Sequence, residues 1–322
     1  MHSIKPLANY FEVELGKYIF PTTPSNLYDP LSYFLQLGGK RIRPILTLMA
    51  AEMFGSKKES AIHASMAIEL FHNFSLIHDD IMDKAPLRRG QETVHLKWND
   101  DIAILSGDVL LIKAYQELAK QDRNHVPALL NLFNQTAVEV CEGQQLDMDF
   151  EGRDIVTIEE YIEMIRLKTS VLLGCALEFG AIISNASEED SLLIYEFGQN
   201  LGIAFQIQDD ILDLFGDPKK FGKQIGGDII SNKKTILLLK AIELAKDLKS
   251  DGLSMMMQVT DSEMKINTAK SLFTSLGVID FAREQMTYYQ QKALKALEKI
   301  SVTSENKKIL IDLSEYLFQR EI

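Results

Sequence analysis

Two aspartate clusters are the residues of this chain best placed to do chemistry. The first is Asp79-Asp80-Ile81-Met82-Asp83 and the second is Asp209-Asp210-Ile211-Leu212-Asp213. In each, the first and last aspartates are four residues apart and so share one face of a helix. Like charges at that spacing repel, and at the C-terminal end of a helix the macrodipole disfavours anions as well. Six carboxylates placed this way on apolar segments need compensating cations. Hard divalent ions, Mg²⁺ above all, take oxygen ligands and bridge carboxylates to phosphate groups. One such cluster alone reads as a solvated acidic helix end. Two, each closing a buried helix, read as a metal site.

Positive charge comes from a second set. Gly38-Gly39-Lys40-Arg41-Ile42-Arg43-Pro44 sets three cations beside glycines that permit close backbone approach. Arg88-Arg89-Gly90 follows the first aspartate cluster, Lys168-Thr169 interrupts an apolar helix, and Lys223 and Lys233 follow the second cluster. Any one of these alone is an ordinary solvated cation. Together with the aspartates they point to phosphate held in two ways: bridged by metal, and gripped directly by guanidinium and ammonium groups.

The segments that must position these residues are helical. Nearly every long stretch carries the 3.6-residue period, and no convincing alternating strand appears. Helices are expected over 5–19, 31–54, 58–83, 101–121, 126–150, 157–184, 188–217, 231–248, 262–276, 278–300 and 304–319. Breaks fall at Pro21 and Pro24, Gly55-Ser56, Pro127, Gly152, Asn185, Pro218 with Gly222, and Gly277. Two stretches, 61–82 and 192–215, are apolar around most of their circumference, which predicts central helices surrounded by others. No Gly/Ser/Pro linker, low-complexity tract or short repeat divides the 322 residues. The expected fold is therefore all-α, one large single-domain helical bundle spanning 1–322.

Composition narrows the function classes. Apolar residues make up 46% and charged residues 25%, an ordinary globular balance. Acidic residues outnumber basic ones 46 to 34, a formal net charge of −12, which argues against a general nucleic-acid binder. Cys141 and Cys175 lie in apolar helical surroundings without metal-ligand spacing, so they read as buried side chains in a reducing compartment. There is no basic start followed by an apolar signal core, and no uninterrupted span of bilayer length. A cytoplasmic protein without a membrane anchor is the expectation.

These residues together resemble the trans-isoprenyl diphosphate synthases, the polyprenyl synthetase family. The match covers almost the whole chain and is weakest near the N-terminus. It rests on Gly39-Lys40-Arg41-Ile42-Arg43-Pro44, His78-Asp79-Asp80-Ile81-Met82-Asp83, Leu87-Arg88-Arg89-Gly90, Gly107-Asp108, and Gly143-Gln144 with Asp147. It continues with Lys168-Thr169, then Phe205-Gln206-Ile207-Gln208-Asp209-Asp210-Ile211-Leu212-Asp213, Gly222-Lys223 and Gly226-Gly227-Asp228.

The resemblance implies a homodimeric all-α bundle whose two aspartate motifs face each other across a deep central cavity. Asp79, Asp83 and Asp209 would hold three Mg²⁺ ions on the diphosphate of an allylic substrate, with Asp80, Asp210 and Asp213 in support. Arg88, Lys168 and Lys223 would bind that diphosphate, with Lys233 nearby; Gln224 adds a residue between Lys223 and Gly226, a departure that loosens the placement of Lys233. Lys40, Arg43, His72 and Arg89 match positions that bind isopentenyl diphosphate, and Arg320 is a further candidate there. Thr169 and Gln206 would offer oxygen atoms to an allylic cation. A lone histidine on an apolar helix is more often a core residue. The resemblance gives His72 a role in the site, whereas His78 reads as structural.

The implied reaction suits these residue types. Metal and cations stabilise the departing pyrophosphate, the double bond of isopentenyl diphosphate attacks C1 of the allyl group, and a proton leaves to the pyrophosphate. A dry apolar cavity protects the cation, and no protein nucleophile is required.

Product length is read from the residues one to two turns before Asp79, namely Phe71, Phe74 and Ser75. In the resembled family a bulky side chain five residues before the first aspartate closes the tunnel early, and here it is Phe74. With Ser75 small and no insertion in the first motif, the resemblance implies an all-trans C20 product, geranylgeranyl diphosphate, with C15 farnesyl next. Phe71 and Phe74 at helical spacing equally suit a plain core. Two other classes share the scaffold. A class I terpene cyclase usually has an Asn/Asp, Ser/Thr, Glu second motif and does not need Lys40, Arg43 and Arg89. A non-catalytic partner subunit of a heteromeric synthase usually lacks one aspartate motif, and this chain keeps both.

Overall fold

An unbroken buried run from Ala64 to Phe71 shows what an all-round apolar sequence does: it makes a helix with no solvent face. In a computed structural model that describes residues 4–216, 225–248 and 251–318, helices account for nearly all of the regular structure. In chain order they are α1 (Ile4–Gly16), α2 (Ser25–Gln36), α3 (Ile42–Met53), α4 (Ile62–Met82), α5 (Val94–Lys97), α6 (Asp100–Leu118), α7 (Val126–Gly152) and α8 (Ile158–Ile165). There follow α9 (Val171–Ile183), α10 (Glu188–Phe215), α11 (Gly227–Ile230), α12 (Ile236–Asp247), α13 (Gly252–Met257), α14 (Ser262–Ser275), α15 (Val278–Lys299) and α16 (Ser304–Phe318). A π-helical turn, Arg166–Ser170, joins α8 to α9. Among the described residues the strands form a single hairpin, β1 (Leu87–Arg88) against β2 (Gln91–Glu92), pairing Leu87 with Glu92 and Arg88 with Gln91. Arg89 and Gly90, with φ of +54° and +77°, close it, as a two-residue hairpin turn of the right twist requires.

The contacts group the chain into two compact units. The first comprises residues 4–133, 175–191 and 301–309, and the second comprises the rest. In the first, α4 packs along α6 and against α3, and α2 also lies on α6. In the second, Ile203, Ile207, Ile211 and Leu214 of α10 form a stripe in a core shared with Tyr161, Met164, Ile236 and Phe273. The same helix carries the second aspartate motif on its neighbouring face. Both helices expected to be central are heavily buried.

Several boundaries differ from expectation, for physical reasons. The segment 31–54 is two helices, because Gly38 and Gly39 take φ of +76° and +143° and Arg41 takes +48°. The segment 157–184 is interrupted by the π turn. The helix expected from 231 begins at Ile236, since 231–235 form a turn around Lys233 and Lys234. The hairpin and the short α5 and α13 carry too few residues to show a period. Cys141 is exposed and only Cys175 is buried, because α7 turns Cys141 outward on the side of the exposed Val138. Among the described residues no helix is long and apolar enough to cross a membrane. The break at Pro218 and Gly222 lies outside the described residues.

Candidate active site

In the first unit the site begins at the loop between α2 and α3. Arg41, in left-handed conformation, caps α3 and turns its guanidinium inward. It meets Glu69 at 2.5 Å, Glu12 at 3.0 Å and the Leu35 carbonyl at 2.7 Å. Asn73 Nδ2 donates to the same Glu69 oxygen, Oε1, at 2.8 Å. Arg41 is thus a structural cation, and its neighbours Lys40 and Arg43 flank it. Gly39 lies against the guanidinium of Arg89, so close that a Cβ there would stand 2.9 Å from Cζ.

Arg43 Nη1 lies 3.2 Å from His72 Nε2, and Arg43 Nε is buried with no hydrogen-bond partner among the described residues. Burial pulls the Arg43 guanidinium down to about 10, although Glu69 resists. Burial, then Arg43, Arg89, Arg88 and Arg41 in turn, hold the His72 imidazole well below the ordinary histidine value. Burial and Arg41 likewise lower Arg89. Crowded cations around a neutral imidazole are the electrostatics of a place made for an anion.

The aspartates divide by position. Asp80 is 1% exposed and bound by Arg88, with Nε at 2.8 and 2.9 Å. Burial pushes its carboxyl up, and Arg88 works against that. Asp79 is half-buried and Asp83 exposed, one turn apart at the end of α4. His78 lies 3.1 Å from the Ile104 carbonyl and packs tightly against Gly107, as its structural reading expects.

The second unit repeats the pattern. Asp210 is buried and receives hydrogen bonds from the Tyr161 hydroxyl and from Gln206 Nε2 at 3.3 Å. Burial, reinforced by Asp228, pushes its carboxyl up to about 8 against those two bonds and Lys233. Asp209 and Asp213 remain partly exposed. Asp213 accepts from the Asp228 amide at 3.1 Å. Lys168 lies 2.6 Å and Lys233 3.4 Å from one Asp147 oxygen. Burial alone would raise Asp147, but Lys233 and Lys168 outweigh it and hold the carboxyl low. These residues line a cavity of about 220 Å³ together with Thr169, Asp209 and Thr235.

The donor set fits Mg²⁺. Each motif offers two carboxylates one turn apart that solvent reaches, and keeps its middle one for the protein. Mg²⁺ is usually held in that way, by one or two carboxylates completed with waters and substrate phosphates. Lys223 and Arg320 lie outside the described residues. Sequence reasoning assigned no role to Tyr161, and Asp147 entered only as part of a motif. The signal for Tyr161 was its place seven residues before Lys168 on the inward face of α8.

Paired carboxylates with arginines in the first unit, and paired carboxylates with lysines in the second, are the groups of an all-α enzyme of phosphate chemistry. A model described as polyprenyl synthetase matches residues 24–274. A geranylgeranyl pyrophosphate synthase of Geoglobus acetivorans is 39% identical over 99% of this chain and 98% of its own. A geranylfarnesyl diphosphate synthase of Aeropyrum pernix is 36% identical over 92% of this chain and 95% of its own. A crystal structure of a geranylgeranyl pyrophosphate synthase, 48% identical, matches with a TM-score of 0.95 over 100% of both chains. The chain belongs to the polyprenyl synthetase family and is a trans-prenyltransferase.

Proposed function

We propose that the chain condenses isopentenyl diphosphate with allylic diphosphates, head to tail, and releases chiefly the C20 product geranylgeranyl diphosphate. The observation that carries this reading is the cavity of the second unit, where Lys168, Thr169, Gln206 and the Asp209 and Asp213 carboxylates share one small space. The family is generally Mg²⁺-dependent. In this reading Asp79, Asp83 and Asp209 would hold three Mg²⁺ ions, which would supply positive charge to a departing diphosphate.

The chain's own residues do the rest. Lys168 and Lys233, now drawn to Asp147, turn to the allylic diphosphate, joined by Lys223 and by the outer edge of Arg88. Gln206 gives its amide nitrogen to Asp210, which leaves its carbonyl oxygen for positive charge developing at the allylic carbon. Thr169 offers a second oxygen. Lys40, Arg43 and Arg89 grip isopentenyl diphosphate, and neutral His72 donates one hydrogen bond to it. Phe74 ends the space for the growing tail. The working enzyme is proposed to be a homodimer, with each chain one catalytic domain.

The test is direct. Purified protein with Mg²⁺, isopentenyl diphosphate and dimethylallyl diphosphate should make a C20 diphosphate unaided, and chelator should stop it. Hydrocarbon release would mean a cyclase, and turnover only with a second chain would mean a partner subunit.

A further inference from the structure

The π turn Arg166–Ser170 interrupts a helix where Lys168 and Thr169 enter the cavity. Inside it the Val171 amide donates to the Arg166 carbonyl, five residues back, and Ser170 Oγ donates to Ile165 O at 3.2 Å. Such a turn is less favourable than continuous α-helix, and π bulges cluster at functional sites. Something must hold it in place.

Two glycines flank it. A Cβ on Gly143 of α7 would stand 2.6 Å from Lys168 Cα and 2.7 Å from the Leu167 carbonyl carbon. A Cβ on Gly202 of α10 would stand 2.8 Å from Ser170 Cα. Real side chains do not come that close to backbone, so only glycine admits the turn from either side. Asp147, the partner of Lys168, is one helical turn beyond Gly143. Gln206, the partner of Asp210, is one turn beyond Gly202. Each glycine therefore shares a helix face with a residue of the site.

We infer that Gly143 and Gly202 are positioning residues, a two-sided clamp that holds the π turn and so aims Lys168 and Thr169 at the allylic diphosphate. The inference rests on the proposed function. Relaxing the turn to α-helix would remove its extra residue and swing Lys168 around the axis by about 100°, one residue's rotation. Sterically, one added methyl on either flank is enough to force that choice.

Three alanine variants test it: Gly143→Ala, Gly202→Ala and the control Gly180→Ala. Gly180 is as tightly packed, its Cβ standing 2.6 Å from Ala50 Cβ, but touches no residue of the site. All three should lower the melting temperature. At a temperature where each is folded by circular dichroism, Gly143→Ala and Gly202→Ala should lose at least about 100-fold in kcat with geranyl diphosphate, the loss that a misplacement of only about an ångström already brings. Their KM for geranyl diphosphate should rise while that for isopentenyl diphosphate holds, and Gly180→Ala should keep its kcat.

A folded Gly143→Ala or Gly202→Ala with parental kcat, or an equal loss in Gly180→Ala, overturns the inference. The parent is assayed first with Mg²⁺, geranyl diphosphate and isopentenyl diphosphate. A parent that makes no prenyl product sinks the functional reading instead.

Discussion

Arg88 closes on Asp80 with its guanidinium fork, Nε at 2.8 and 2.9 Å and Nη2 at 2.8 Å, around a carboxylate that is 1% exposed. Asp80 is thereby fixed as an anchor for the end of α4, while Asp83 at its C-cap stays in solvent. Tyr161 and Gln206 do the same for Asp210.

This division predicts opposite behaviour within one motif. Arg88→Ala leaves a buried carboxylate without its cation and should cost about 2–3 kcal/mol, somewhat less than the roughly 3–5 kcal/mol of a fully enclosed pair. Asp83→Asn should change stability by less than about 0.5 kcal/mol, in the favourable direction, since a helix C-terminus disfavours an anion. The same variant should need far more Mg²⁺ for half-maximal activity. Urea melts and Mg²⁺ titrations measure the two effects, and an Asp83→Asn protein as unstable as Arg88→Ala would break the argument.

His72 carries a pH signature. Its folded-state value is depressed by burial and by Arg43, Arg89, Arg88 and Arg41. Below the ordinary histidine value of 6.5 the unfolded chain takes up a proton that the folded chain refuses. Stability should therefore fall as pH drops from neutral towards 5, on the order of one proton linked to unfolding. His72→Gln should flatten that slope. Isopentenyl diphosphate, by bringing anionic charge beside the four arginines, should raise the imidazole value, visible as a shifted histidine NMR titration. An unchanged titration with ligand present would place the diphosphate elsewhere.

How far the sequence revealed this site depended on what each residue needed. The aspartates, Lys168 and the arginines announce themselves because charges on apolar helices require partners. The central helices were equally legible, since α4 and α10 are apolar around most of their circumference. The left-handed Arg41 and the π turn were not: Gly39 beside the first admits the Arg89 side chain, and Gly143 and Gly202 admit the backbone of the second, approaches from distant segments that no local pattern carries. Periodicity reports only local spacing, so it ran one helix through 31–54 and another through 157–184. Arg41, one of three clustered cations and matched to no substrate position, faces Glu69, a pairing between segments that no local pattern signals.

That pairing makes its own prediction. Arg41 and Glu69 side chains are 3% and 2% exposed. Glu69→Ala should therefore cost about 3–5 kcal/mol by stranding the guanidinium. It should also raise KM for isopentenyl diphosphate, because Arg41 sets the start of α3 and with it Lys40 and Arg43. Replacing both partners by apolar residues, as in Arg41→Met/Glu69→Leu, should recover much of the stability but not the KM. Recovery of both would show that Arg41 only fills space.

The proposed floor of the product space makes a prediction through the layer beneath Phe74. Phe74 is partly exposed, but Phe71 behind it is buried and meets Phe133 edge-on at 5.1 Å, as Tyr115 does at 5.0 Å, with Phe179 tilted against Phe133 at 6.5 Å. Aromatic side chains in such edge-to-face contact resist displacement by a flexible isoprenoid tail. Phe74→Ala should thus lengthen the product by about one isoprene unit, to C25, and stop there, because cavity made by one phenyl is bounded by the next layer. Phe71→Ala/Phe74→Ala should go further, at a stability cost of about 3–5 kcal/mol for the buried ring. Mass spectrometry of the dephosphorylated alcohols reads the distribution. A Phe74→Ala enzyme that still ends at C20 moves the floor away from α4, and one that runs straight past C25 removes Phe71 and Phe133 as its second barrier.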